Sequence, residues 1–188
     1  MHVRTGVTFN GLLASLSPVP RDFYRYPTES MHYIERLAEH WKLIGVSPLP
    51  PSCAFSVDDF ANRHGIHIPK DFRDFYTFCD GIENTDGGLN AFWPLSEVNT
   101  VPVKLCDFSG APDYSAIADN LPNADDYFVF ADHSIWVCAY AIMLTDDPNA
   151  PTPVLWIGDG RSYDTIASSF TDFWLRYTEL PDDKCLWP

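Results

Sequence analysis

The sequence predicts an α+β domain, because helix-period segments group near the front, short aromatic-rich strand segments fill the middle, and one more helix-period segment closes the chain. No internal repeat of about 20–50 residues interrupts that order. The chain has 188 residues, 46% of them hydrophobic and 15% aromatic, which is enough apolar material to build one core. Residues 1–27 carry Pro18, Pro20 and Pro27 without a sustained period and read as an N-terminal extension, leaving residues 28–188 as the domain.

Met31, Ile34, Leu37, Ala38 and Trp41 recur at helical spacing, with Thr28 or Ser30 as N-caps and Gly45 past the end. A proline-rich connector, residues 46–52, follows. Ser56 is positioned to cap a short second helix, with Asp59 at the reciprocal position and Gly65 closing it. Pro69 suits the first turn of a third helix, whose stripe is Phe72, Phe75, Tyr76 and Cys79 and whose end is Gly81. Strands are expected over Leu89–Trp93, Tyr127–Ala131, Ile135–Leu144 and Pro153–Ile157, with Asp132-His133-Ser134 joining two of them as a hairpin. The third run is apolar at nearly every position, as in a central strand covered on both faces. Asp107–Asn123 is loop-like, and a last helix is expected from about Ser168 to Tyr177 with Phe170, Phe173 and Trp174 inward.

The formal net charge is −14, from 26 acidic against 12 basic residues. Residues 77–160 hold thirteen acidic side chains and only Lys104, while residues 1–76 are balanced. Nucleic acid and anionic membrane are poor partners for such a chain, since phosphate recognition needs a basic footprint. The longest apolar run, Ile135–Leu144, is ten residues, about half of what a spanning helix needs. The Leu12–Leu16 patch runs into Pro18 and Pro20 without a small-residue cleavage pattern, so it is not read as a signal peptide, and a cytoplasmic location is expected. Five scattered cysteines with no Cys-x-x-Cys read as free thiols.

Catalytic and metal chemistry find weak support. Gly158-Asp159-Gly160 follows a strand, but too little chain remains for a βαβ unit, so a turn between strand and helix is expected. His64 and His67 are split by Gly65 and lack a third ligand. Cys138, His133 and Asp132 can be written as nucleophile, base and orienter, yet Cys138 lies in the most apolar run, where a thiolate would be desolvated. Asp58-Asp59, Asp125-Asp126, Asp146-Asp147 and Asp182-Asp183 lack the spacing of a calcium loop and suit solvated turns. No catalytic residue, cofactor site or metal site is assigned.

Three segments together resemble the SUKH superfamily of immunity proteins and cell-wall regulators. Residues Ile68–Gly81 are similar to its "LP-x-x-[YF]-x-x-F…NG" helix, Tyr127–Asp132 to its "hhhFgD" strand, and Ile166–Trp174 to its closing "hA-x-SF-x-x-F" helix. The chain departs from the pattern at Ala61, where a Glu is usual, at Asp80, where an Asn is, and at His133-Ser134, where glycines often stand. The resemblance implies helices on a twisted, mostly antiparallel sheet of about four to six strands, and a non-enzymatic role. On that basis the chain is expected to be an immunity protein that occludes a basic, nuclease-type toxin domain; the alternative is a regulatory scaffold of the cell-wall or signalling type. Candidate contacts, chosen for charge and loop position, are Glu83, Asp86, Asp107, Asp113, Asp125 and Asp126.

Overall fold

The computed structural model describes residues 32–51, 54–180 and 186, without the side chains of residues 54 and 55. The proposed extension over 1–27, and the caps Thr28 and Ser30, lie outside the described residues.

Three helices come first: α1 (Tyr33–Ile44), α2 (Ala54–His64) and α3 (Lys70–Phe78). The strands are β1 (Asn90–Phe92), β2 (Asn99–Thr100), β3 (Tyr127–His133), β4 (Cys138–Met143), β5 (Val154–Ile157) and β6 (Tyr163–Ala167). Two short helices, α4 (Val101–Leu105) and α5 (Ile117–Asn120), lie between β2 and β3, and α6 (Phe170–Glu179) follows the sheet. The sheet is antiparallel in the order β1-β3-β4-β5-β6, with β2 also paired to β3. The α+β class expected from the sequence is the fold observed.

Side-chain alternation splits β4 between two cores. Cys138, Tyr140 and Ile142 face α1, α3 and α6, where Trp41, Phe72, Phe75, Phe170, Phe173 and Trp174 are fully buried. Ala139 and Ala141 face the other way, onto Val101, Leu105, Tyr114, Ile117 and Leu121. Burial on both faces explains the unbroken apolar run. Small residues on the second face let the irregular 101–126 segment approach the sheet closely. A bulge between Val129 and Ala131 adds a residue to β3, so Phe128, Phe130 and Ala131 all reach the helical core while Val129 serves the second.

The helical layer is pinned by specific contacts as well as by area. Each buried aromatic ring contributes about 2–3 kcal/mol by burial alone, and Phe75 stacks on Trp174 at 4.7 Å. The Tyr33 hydroxyl donates to the Asp71 carbonyl, and the Asp71 carboxylate accepts from Thr171 N at 2.9 Å and Oγ1 at 3.0 Å. Ser169 caps α6 by accepting from Asp172 N at 3.1 Å, while Asp172 accepts from Ser168 N at 2.8 Å.

Several local expectations are corrected. His32, whose ring accepts from Ile34 N at 3.4 Å, is the cap of α1, and α2 begins at Ala54, so Ser56 rides inside its first turn. The last helix starts at Phe170, one residue after its cap. Gly158–Gly160 joins β5 to β6, a strand that the short exposed stretch Asp164-Thr165 concealed. Ile135–Val137 is a turn: Ser134, Ile135 and Trp136 have φ of 53°, 57° and 69°, so β4 begins only at Cys138.

Candidate functional site

The second core is roofed by residues 101–126, and that roof carries five carboxylates against a single cation, Lys104. Asp107, Asp113, Asp119 and Asp125 are exposed on it, and Asp126 is half-buried. The β5–β6 turn is tied to it: Gly160 N donates to the Asp113 carbonyl at 2.8 Å, Asn120 Nδ2 to the Gly160 carbonyl at 3.0 Å, and the Tyr163 hydroxyl to the Asn120 carbonyl at 3.1 Å. Asp159 therefore joins the same layer. Its Oδ1 accepts from both Arg161 N and Ser162 N, each at 2.7 Å, and these bonds hold its carboxyl below the usual range.

Arg161 stands exposed in the same β5–β6 turn and its charge acts on Asp159, whereas the cations of the helical layer are engaged elsewhere. Arg36 pairs with Glu179 (3.1 Å), Arg63 with Asp59 (2.7 Å), Lys70 with Asp74 (2.5 Å), Arg73 with Asp58 (2.7 Å) and Arg176 with Asp172 (2.9 Å). All five pairs belong to the helices on the other side of the sheet. Lys104 sits at the start of the roof, but its ammonium is held by Glu97 at 3.1 Å and lies 3.8 Å above the Trp93 ring. Among the described residues, no ion pair joins a cation of the flanking segments to a carboxylate of residues 77–160. Six of the thirteen acidic residues of 77–160 thus share one layer, apart from the ion pairs of the helices, while others lie elsewhere, as Asp147 does beside His67 and Lys70.

The six sequence candidates divide. Asp107, Asp113, Asp125 and Asp126 share the roof. Glu83 is exposed elsewhere, on the loop after α3, where its N–H donates to the Ser47 carbonyl at 3.4 Å. Asp86 is not a surface residue: it is 6% exposed. One oxygen accepts from Asn90 N at 2.7 Å, and the other from Asn90 Nδ2 at 2.9 Å and the Tyr177 hydroxyl at 2.7 Å. That carboxylate joins the start of β1 to α6 and is spent on the fold. Asp119 and Asp159, not chosen individually, complete the layer; both were already part of the segmental excess.

A second feature adjoins the roof at the β3–β4 turn. Asp132, 5% exposed, accepts from Trp93 Nε1 at 2.9 Å and from Trp136 N at 3.0 Å. Burial pushes its carboxyl above the usual range against the effect of those two bonds. Trp136 packs on Trp93 at 4.7 Å and Phe108 at 5.4 Å, and its carbonyl accepts from the Tyr114 hydroxyl at 2.9 Å. Around this plug Leu89, Ile135 and Val137 are exposed by 52%, 85% and 42%. Periodicity concealed the feature, because an apolar turn and an apolar strand look alike in sequence.

The arrangements weighed for chemistry do not assemble. Cys138 is fully buried on the helical-core side, and Asp132 is engaged by two tryptophans. His133 turns Nδ1 toward Asn90 Oδ1 at 3.2 Å. His64 packs on Phe60 and Phe128, and burial holds its imidazole below the ordinary value. A shallow depression of about 250 Å³ is lined by His67, Lys70, Leu144, Thr145 and Asp147 together with loop prolines. Among the described residues no three His, Cys, Asp or Glu side chains gather as a metal would require, and no helix is long and apolar enough to cross a membrane.

A search of curated proteins finds no matching relative. The pattern of the SMI1 / KNR4 family (SUKH-1) matches residues 56–176, from the first turn of α2 into α6. The match takes in the whole sheet, both short roof helices and the turn at Asp132, which is well over half of the chain. The chain belongs to the SMI1 / KNR4 family (SUKH-1).

Proposed function

We propose that the chain is a non-catalytic, cytoplasmic immunity-type domain that binds a basic toxin domain and covers it with the acidic roof over residues 101–126. One observation carries this reading: among the described residues the roof carboxylates enter no ion pair, while the cations of the helical layer are consumed by their own. Like charges gathered on one face cost self-repulsion, a cost recovered when a cationic surface docks against them. Complementary charge acts mainly on the association rate, commonly by ten-fold or more at low salt. Family membership supports an immunity or cell-wall-regulatory role and favours binding over catalysis.

The probe is a toxin domain encoded beside this chain, and a gene neighbourhood without one counts against the immunity role. Purified chain is titrated against the toxin's activity, and the triple variant Asp107→Lys, Asp119→Lys, Asp125→Lys is titrated alongside. Stoichiometric neutralisation by the parent chain, with association slowed about ten-fold or more in the variant, is the expected result. No neutralisation by the parent rejects the immunity role and leaves the regulatory scaffold as the family reading. Equal association rates reject the acidic roof as the docking face.

A further inference from the structure

We propose that the β3–β4 turn is the apolar anchor of the interface, with Ile135, flanked by Leu89 and Val137, inserting into an apolar socket on a basic protein partner. This rests on the reading of the roof as a docking face. The turn spends stability that the fold does not need to spend. Ser134, Ile135 and Trp136 are consecutive left-handed residues, with φ of 53°, 57° and 69°. Glycine or asparagine would occupy such positions without penalty, whereas a β-branched residue there is a conformational outlier. The Ile135 side chain gains no burial in exchange, at 85% exposure. Strain concentrated under an exposed apolar group is a mark of a functional site.

The conformation is held from several sides. Ser134 N donates to the Leu89 carbonyl at 2.9 Å, and Val137 N to the His133 carbonyl at 3.0 Å. Trp136 N donates to Asp132, and the Tyr114 hydroxyl donates to the Trp136 carbonyl. The Trp136 ring is fixed between Trp93 and Phe108. The apolar tip is therefore presented ready-made, which limits the ordering cost of binding.

Charge selects the occupant. The exposed Asp107 and Asp113 are the chain neighbours of Phe108 and Tyr114, which hold Trp136, and the cation at this cluster, Lys104 over the Trp93 ring, is paired with Glu97. Asp159 is near enough for its charge to act on both Asp113 and Tyr114. An apolar centre with an acidic rim fits a socket with a basic rim. A second copy of this chain would bring a like-charged rim against it.

The experiment places photoreactive benzoylphenylalanine, one site at a time, at Ile135, at Pro122 on the acidic roof, and at Leu43 on α1 in the opposite layer, within the full chain in its host cell. Adducts are identified by mass spectrometry. The expected result is one basic protein captured from positions 135 and 122 but not from 43. Adding Ile135→Gly to the Pro122 probe should then weaken capture at least ten-fold, while the melting temperature stays level or rises by a few degrees because strain is relieved. Capture from 122 without capture from 135 overturns the anchor and leaves the roof standing. Capture from neither position overturns both. An acidic protein or a second copy captured at 135, or undiminished capture in the Ile135→Gly background, also overturns the anchor.

Discussion

Asp86 gives the sharpest energetic test, because charge and loop position suggest a contact residue while its surroundings make it structural. Its carboxylate satisfies Asn90 N (2.7 Å), Asn90 Nδ2 (2.9 Å) and the Tyr177 hydroxyl (2.7 Å), and Tyr177 in turn accepts from Trp41 Nε1 at 3.1 Å. Asp86→Ala strands three donors in a region closed to water. At about 1–2 kcal/mol for each buried unpaired group, the loss is about 3–6 kcal/mol, a large share of the ~5–15 kcal/mol typical of a domain. Tyr177→Phe removes a single bond and should cost about 1–2 kcal/mol. Because both substitutions break the same bond, the double variant should fall short of additivity by about 1 kcal/mol. Urea unfolding followed by tryptophan fluorescence reads all three values. A loss below about 1 kcal/mol for Asp86→Ala, against the 3–6 kcal/mol expected, or strict additivity, would refute the reasoning and return Asp86 to the list of contacts.

Two further predictions concern the frame of the molecule. Gly81 has φ +83°, and a Cβ there would lie 2.4 Å from the Phe92 carbonyl oxygen and 2.8 Å from the Trp93 carbonyl carbon. Gly81→Ala should therefore cost about 3 kcal/mol or more, from left-handed strain plus displacement of β1; thermal melting checks it, and a neutral result would contradict the close approach. His64 and His133 both have imidazoles held below their ordinary value of 6.5, chiefly by burial. Below that value the unfolded chain binds their protons more readily, so their contribution is lost as pH falls through 6.5 and restored as it rises. Asp132, raised by burial, acts with the opposite sign from the carboxylate range upward. His64→Leu should flatten the rise in urea midpoint between about pH 5 and 7, and an unchanged slope would count against its desolvation between Phe60 and Phe128.

Much of the frame is legible in the sequence because local chemistry decides it. The stripe Phe72, Phe75, Tyr76 makes one face of α3, Gly45 and Gly65 take the left-handed conformations that end α1 and α2, and the apolar run of β4 is covered twice. The misread positions are those settled by distant partners. Asp86 looks like any loop acid until Tyr177, 91 residues away in sequence, closes over it. Ile135–Val137 continues an apolar strand pattern until Asp132 and Tyr114 hold Trp136 in the turn. The charge bias of residues 77–160 is plain in the sequence. The gathering of six of those acids on one layer depends on the β5–β6 turn meeting the roof, and on the helices retaining their own cations.

The central claim is electrostatic, and the salt dependence of association tests it most directly. The chain is mixed with a toxin domain that it neutralises, and the association rate constant is followed as ionic strength rises from about 0.01 M to 0.15 M, where the Debye length shrinks from about 30 Å to 8 Å. The account predicts a steep fall across that range, with most of the slope gone in the Asp107→Lys, Asp119→Lys, Asp125→Lys variant. A rate constant that stays flat with salt, for a complex that forms and neutralises all the same, would contradict it.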